Sequence, residues 1–179
     1  MAEAAAGWQD QLYDLLKTEA KVSMFSYVPD AGHKVMINRA IADPDVQAVS
    51  LTTEEEGVAL QAGAHLGGKR SVLLMQSSGV GNCVNFFALI NNARFPFLTI
   101  VSMRGDFGEG NQGQIPMGRA TPKVLEAMDF VVLAIDNEAD VLKTARAGAI
   151  MAFNGEKAVA LLLSQKLKGA KAFPSGDGE

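Results

Sequence analysis

Cysteine is almost missing from this chain: Cys83 stands alone, which excludes an internal disulfide and any cysteine-built metal cluster. Histidine is equally scarce, with only His33 and His65, so a histidine-rich metal centre is not expected and no metal ligand is assigned. No apolar run approaches the roughly 18–20 residues of a membrane span. The opening residues, Met1 to Gly7, lack the basic start and long apolar core of a secretory signal. A cytoplasmic protein with no membrane partner is therefore expected. Basic clusters with interleaved aromatics are also missing. With a net charge of −4 and a pI near 5.2, the chain lacks the basic face that phosphate backbones require, and nucleic acid is not an expected partner.

What the chain does contain is ordinary globular material. Its 179 residues are 48% hydrophobic and 20% charged, enough for one compact domain with a buried core. We expect that domain over residues 1–168, with a glycine-containing tail over 169–179. Short β-branched runs alternate with helical spacing. Val22–Val28, Val46–Leu51, Val72–Met75, Phe97–Ser102, Phe130–Ile135 and Ala158–Leu163 read as strands. Helical patterns fall over Trp8–Glu19, Gly32–Ala42, Glu54–Gly67 and Gly79–Ala93, the last entered through a loop, with more before and after the fifth strand. This alternation predicts an α/β fold, a mostly parallel sheet with helices on both faces. Ligands of such sheets bind at the carboxyl ends of the strands. Attention therefore falls on the segments beginning at Pro29, Thr52, Gln76 and Met103.

Three glutamates, Glu54-Glu55-Glu56, follow the second strand. Thr53 as N-cap with Glu56 three residues on forms a capping-box pattern, and acids in a first turn suit the helix dipole. The apolar set Val58, Ala59, Ala62 and Leu66 centres its face nearest Glu55, so spacing alone does not single out a functional carboxylate. Gln76-Ser77-Ser78-Gly79-Val80-Gly81-Asn82 opens a helix after the third strand. Its glycines allow close approach to a ligand, but it is neither a P-loop nor a dinucleotide fingerprint, and a tight turn explains two glycines equally well. Residues 104–118 carry five glycines and read as a binding loop or lid, with Arg104 and Arg119 available to grip an anion or to lie solvated on the surface. Asp30 caps the next helix or faces a ligand. Cys83 reads as a small buried residue, since no histidine lies near it in sequence.

Taken in order, Tyr27-Val28-Pro29-Asp30, Glu54 to Gly63, Gln76 to Asn82, and Met103-Arg104-Gly105 leading to Met117-Gly118-Arg119 resemble segments of sulfopyruvate and phosphonopyruvate decarboxylases. The resemblance spans about residues 20–165. It implies the pyrimidine-type domain of the thiamine-diphosphate-binding fold. In that family the catalytic glutamate typically precedes a helix glycine by nine positions, which from Gly63 gives Glu54 rather than the Glu55 favoured by periodicity. The resemblance further implies that Glu54 hydrogen-bonds the aminopyrimidine ring nitrogen of thiamine diphosphate. It assigns cofactor binding to Gln76, Ser78, Gly79, Gly81 and Asn82, and substrate binding to Asp30, Arg104 and Arg119. The diphosphate and its Mg2+ are held in this family by a Gly-Asp-Gly segment followed by a distant asparagine pair. Here Gly176-Asp177-Gly178 is followed only by Glu179, and Asn91-Asn92 precedes it. The implied protein is the alpha subunit of a split 2-oxoacid decarboxylase. A separate diphosphate-binding beta subunit holds the Mg2+, the substrate is a small anionic 2-oxoacid, and the assembly is an oligomer. The alternatives are a flavodoxin-like α/β binding module and a homologue that has lost activity.

Overall fold

The computed structural model describes residues 7–169; the expected tail from 170 onward, with its Gly-Asp-Gly triplet, and residues 1–6 lie outside that range. Six strands form one sheet: β1 (Val22–Tyr27), β2 (Gln47–Ser50), β3 (Arg70–Gln76), β4 (Phe97–Ser102), β5 (Val131–Ile135) and β6 (Ala158–Leu163). Every pairing is parallel and the order is β2-β1-β3-β4-β6-β5. The expectation of a mostly parallel sheet is met in full. β3, β4 and β6 are the runs without alternation, and they occupy interior positions covered on both faces. The edge strands β2 and β5 are only partly buried.

Two helical layers cover the sheet. On one face lie α1 (Trp8–Asp14, continued by a π turn over Leu15–Glu19), α2 (Lys34–Ala42) and α7 (Glu138–Phe153). They bury Leu12, Tyr13, Leu16, Met36, Val141 and Ala145 against Phe25, Val72, Ile100 and Leu161. On the other face lie α3 (Glu54–Leu66), α4 (Ser77–Cys83), α5 (Phe87–Ala93) and α6 (Ile115–Ala127). There Val58, Val80, Phe87 and Leu125 pack on Leu73, Met75, Phe97 and Val101. Phe87, Phe97 and Phe130 meet edge to face, with ring centroids 4.7 to 6.3 Å apart.

From β1 the chain runs outward to β2 and then returns to the other side of β1 for β3. The switch point therefore lies between β1 and β3, where a crevice opens at the carboxyl ends of an α/β sheet. The four segments singled out from sequence all leave the sheet at that end.

Two expected loops are shorter than the sequence suggested. Gln76 is the N-cap of α4, so β3 passes straight into helix at Ser77, and Gly79 and Gly81 are helical residues. The run after Arg104 is helical from Ile115, preceded by a single turn at Gln112–Gln114, so Arg119 belongs to a helix. Glycine raised the expectation of loop in both places, but tertiary packing overrides its weak helix propensity.

Candidate active site

Glu54 is the first residue of α3, and its side chain turns inward. The buried stripe of this helix is Glu54, Gly57, Val58, Gln61 and Ala64. Ala59 and Leu66 face outward, and Leu66 is 88% exposed. The face expected from Val58, Ala59, Ala62 and Leu66 is thus rotated, because glycine and glutamine occupy buried positions that hydrophobicity does not mark. Glu54 is 7% exposed, and its Oε2 accepts a hydrogen bond from Asn82 Nδ2 at 2.8 Å. Gly79 makes room for it: a Cβ there would lie 2.4 Å from Glu54 Cδ and Oε1. Asn82 and Gly79 are one helical turn apart on α4, so that turn forms the wall against which the carboxylate rests.

The other two glutamates do local work. Thr53 is the N-cap, but its hydroxyl donates to the Glu55 carboxylate instead of accepting a cap bond. That bond holds the Glu55 carboxyl below its ordinary value. Glu56 Oε2 accepts from the backbone N–H of Thr52 at 2.9 Å. The expected capping box is therefore displaced by one residue, with Glu56 satisfying the amide before the N-cap.

Asp30 does not cap the next helix through its side chain. Its Oδ2 accepts from Ser102 Oγ at 2.5 Å and its Oδ1 from Gln76 Nε2 at 3.2 Å, while Ser78 Oγ donates to Gln76 Oε1 at 2.9 Å. Ser78, Gln76, Asp30 and Ser102 thus form one chain of hydrogen bonds across the ends of β1, β3 and β4. Burial pushes the Asp30 carboxyl up, but the Ser102 hydrogen bond, the charge of His33 and the Gln76 amide bring it below its ordinary value. His33, buried beneath, donates from Nε2 to the Met75 carbonyl at 3.1 Å.

Arg104 leaves β4 next to this chain. Its backbone N–H donates to Ser77 Oγ at 3.1 Å, and its guanidinium feels the Asp30 charge. The side chain is held edge-on by Glu109, with Nε to Oε2 at 2.5 Å and Nη2 to Oε1 at 2.8 Å. Gly118 brings α6 against the start of this segment; a Cβ at that position would lie 1.8 Å from the Arg104 carbonyl oxygen. Arg119 lies elsewhere. It is exposed and lines a cavity of about 320 Å³ with Asp106, Pro122, Asp136 and Ser164. Gly81 packs beside Met117, whose sulfur would lie 3.3 Å from an added Cβ. The structure therefore brings Asp30, Glu54, Gln76, Ser78, Gly79, Asn82 and Arg104 to one end of the sheet and leaves Arg119 outside the hydrogen-bonded group. Ser77, Ser102 and Glu109 were not anticipated from sequence. Ser102 is the polar last residue of an apolar strand, a signal that was available.

Comparison with known proteins identifies the family of the chain. The chain is 36% identical over 146 residues to the sulfopyruvate decarboxylase subunit alpha of Methanococcus maripaludis, covering 81% of this chain and 87% of that one. The protein of the same name from Methanothermobacter thermautotrophicus is also 36% identical, with 88% of it covered. The chain belongs to the sulfopyruvate decarboxylase alpha-subunit family. The phosphonopyruvate decarboxylase of Streptomyces viridochromogenes is 37% identical over 126 residues, and this alpha-subunit chain matches only 32% of its length. No family model matches. Among solved structures, a 2-oxoglutarate:ferredoxin oxidoreductase from Magnetococcus marinus shares the fold, with a TM-score of 0.72 at 16% identity. It is matched over 97% of this chain and 34% of its own.

The described residues of the alpha-subunit chain supply a buried carboxylate, Glu54. Among the described residues no group of three or more His, Cys, Asp or Glu side chains could hold a metal ion, and no helix is long and apolar enough to cross a membrane. Cys83 is fully buried in α4. Burial, followed by the charges of Glu54 and Glu55, pushes its thiol well above the ordinary value, which excludes it as a nucleophile.

Proposed function

We propose that this chain is the pyrimidine-binding alpha subunit of a cytoplasmic, thiamine-diphosphate-dependent decarboxylase acting on sulfopyruvate or phosphonopyruvate. The observation that carries the reading is Glu54: a carboxylate buried at the sheet's switch point, with Gly79 and Asn82 shaped around it. The residues fit the pyrimidine end of the cofactor. Glu54 Oε2 is fixed by Asn82, which leaves Oε1 to receive a protonated ring nitrogen. When bound, thiamine diphosphate supplies a nucleophilic carbon and the electron sink that decarboxylation of a 2-oxoacid needs.

This chain's own part is placement and charge. Glu54 holds a proton relationship at the pyrimidine ring. The Gln76, Ser78, Asp30 and Ser102 chain presents fixed polar groups across the strand ends, where a keto acid would lie. Arg104 is the cation we assign to the substrate's sulfonate or phosphonate, because it adjoins the Asp30 and Ser77 group, whereas Arg119 lines a separate cavity beside Asp136 and Ser164. The diphosphate and Mg2+ fall to a separate beta subunit, and the working enzyme is an oligomer of both chains.

The test is to combine this chain with its beta subunit, thiamine diphosphate and Mg2+ and follow carbon dioxide release. Glu54→Gln should lower kcat about 100-fold or more, the usual weight of a positioned acid–base group. Unchanged turnover would remove Glu54 from the chemistry.

A further inference from the structure

We propose that Glu109 is the positioning residue that fixes Arg104 for an anionic substrate, and that Gln165 anchors it from the end of β6. This inference rests on the assignment of Arg104 to the substrate anion and extends it.

The Glu109 carboxylate is gripped from three sides. Oε2 accepts from Arg104 Nε and from Gln165 Nε2 at 2.9 Å; Oε1 accepts from Arg104 Nη2 and from the Asn111 backbone N–H at 2.9 Å. Its side chain is only 3% exposed, whereas that of Arg104 is 24% exposed. The buried member of the pair is thus the carboxylate, and the guanidinium forms its outer surface. Gln165 in turn takes the backbone N–H groups of Asp106 and Phe107 on its Oε1, at 3.2 and 3.3 Å, and gives its own N–H to Asp106. The segment carrying Arg104 and Glu109 is therefore seated on the end of β6 at several points.

The geometry of the fork decides what this achieves. Glu109 engages the side of the guanidinium made by Nε and Nη2, which leaves the end made by Nη1 and Nη2 directed away from it. That end carries two parallel N–H groups, the arrangement that takes two oxygens of a sulfonate, phosphonate or carboxylate. An arginine held along one side loses little rotamer freedom when a ligand arrives at its other end. The carboxylate also opposes the anion electrostatically. Because it lies on the far side of the guanidinium and is already bound by four donors, fixation outweighs repulsion.

The experiment uses the assembled alpha–beta enzyme with thiamine diphosphate and Mg2+. Glu109→Gln is expected to raise the KM for sulfopyruvate about tenfold while kcat changes little, since one ionic hydrogen-bond pair carries about that factor. Calorimetric binding of sulfoacetate, an anion without a ketone, should weaken by a similar factor. A rise in KM without loss of kcat is not what general unfolding produces. Arg104→Gln provides the second arm. If it leaves KM and sulfoacetate binding unchanged, the assignment of Arg104 to the anion fails. If it raises KM while Glu109→Gln lowers KM or leaves it unchanged, Arg104 stands and the positioning role of Glu109 is overturned. Should Glu109→Gln not assemble, Gln165→Leu removes a bond to the carboxylate and keeps both charges. Its KM should also rise, and an unchanged KM overturns the proposal.

Discussion

Three adjacent glutamates with equal chemistry end in three environments because a helix turns about 100° per residue. Glu56 reaches back to an exposed amide, Glu55 takes the Thr53 hydroxyl, and Glu54 is carried under α4. The space it enters exists because residue 79 has no side chain. Gly79→Ala therefore tests the site more sharply than the stability. The new methyl meets the middle of the Glu54 side chain, at Cγ and Cδ, so the carboxylate must move by an ångström or so. A misplacement of that size in a catalytic group costs on the order of 100-fold in rate. We expect kcat to fall by about that factor while thermal melting shifts by only a few degrees. A Gly79→Ala enzyme with wild-type kcat would mean that the position of Glu54 is not what the chemistry depends on.

At the scale of elements, the strands and their order of alternation with helices were legible, because β3, β4 and β6 are unbroken apolar runs that only a doubly covered sheet explains. The face of α3 was not. Its stripe contains Glu54, Gly57 and Gln61, and each is buried for a specific contact: Gln61 donates to the Leu98 carbonyl at 3.0 Å, and a Cβ at Gly57 would meet Leu73. Hydrophobic periodicity has no access to such contacts and therefore pointed to Glu55; the nine-residue spacing to Gly63 pointed to Glu54, the one of the three that the fold buries. Glu109 was hidden for a related reason, since a glycine-rich run has no period from which to infer a partner. The true face of α3 has a direct test. Val58 is fully buried and Val58→Ala should cost about 2 kcal/mol by denaturant unfolding. Leu66→Lys, at an 88% exposed position, should cost almost nothing in the isolated chain. The reverse ranking would restore the periodic reading.

For the whole molecule, the parallel topology gathers four strand ends into one crevice, and the acidic groups that hold the molecule together lie far apart on it. Lys17 and Tyr13, on the first helical segment, bind Asp43 in the connection before β2, at 2.6 and 2.9 Å. Chiefly through Lys17, then through the Asp45 amide, the Asp43 carboxyl is held down to about 2. Glu109, beyond the carboxyl end of β4 and so at the opposite end of the sheet, is held down to about 2, chiefly by Arg104. The sign of the consequence follows from linkage. A carboxyl with a lower value folded than unfolded binds fewer protons in the native state, so its contribution is complete above the unfolded value. It is lost as pH falls toward the folded one. The melting temperature of the chain should therefore be nearly level above about pH 5 and fall between pH 4.5 and about 2. Asp43→Asn and Glu109→Gln should each start lower at neutral pH and show a shallower fall through that window. Because the two sites share no partner, their effects should add in the double variant. Melting curves that stay parallel to the wild type down to pH 2 would show that neither carboxylate is anchored as described.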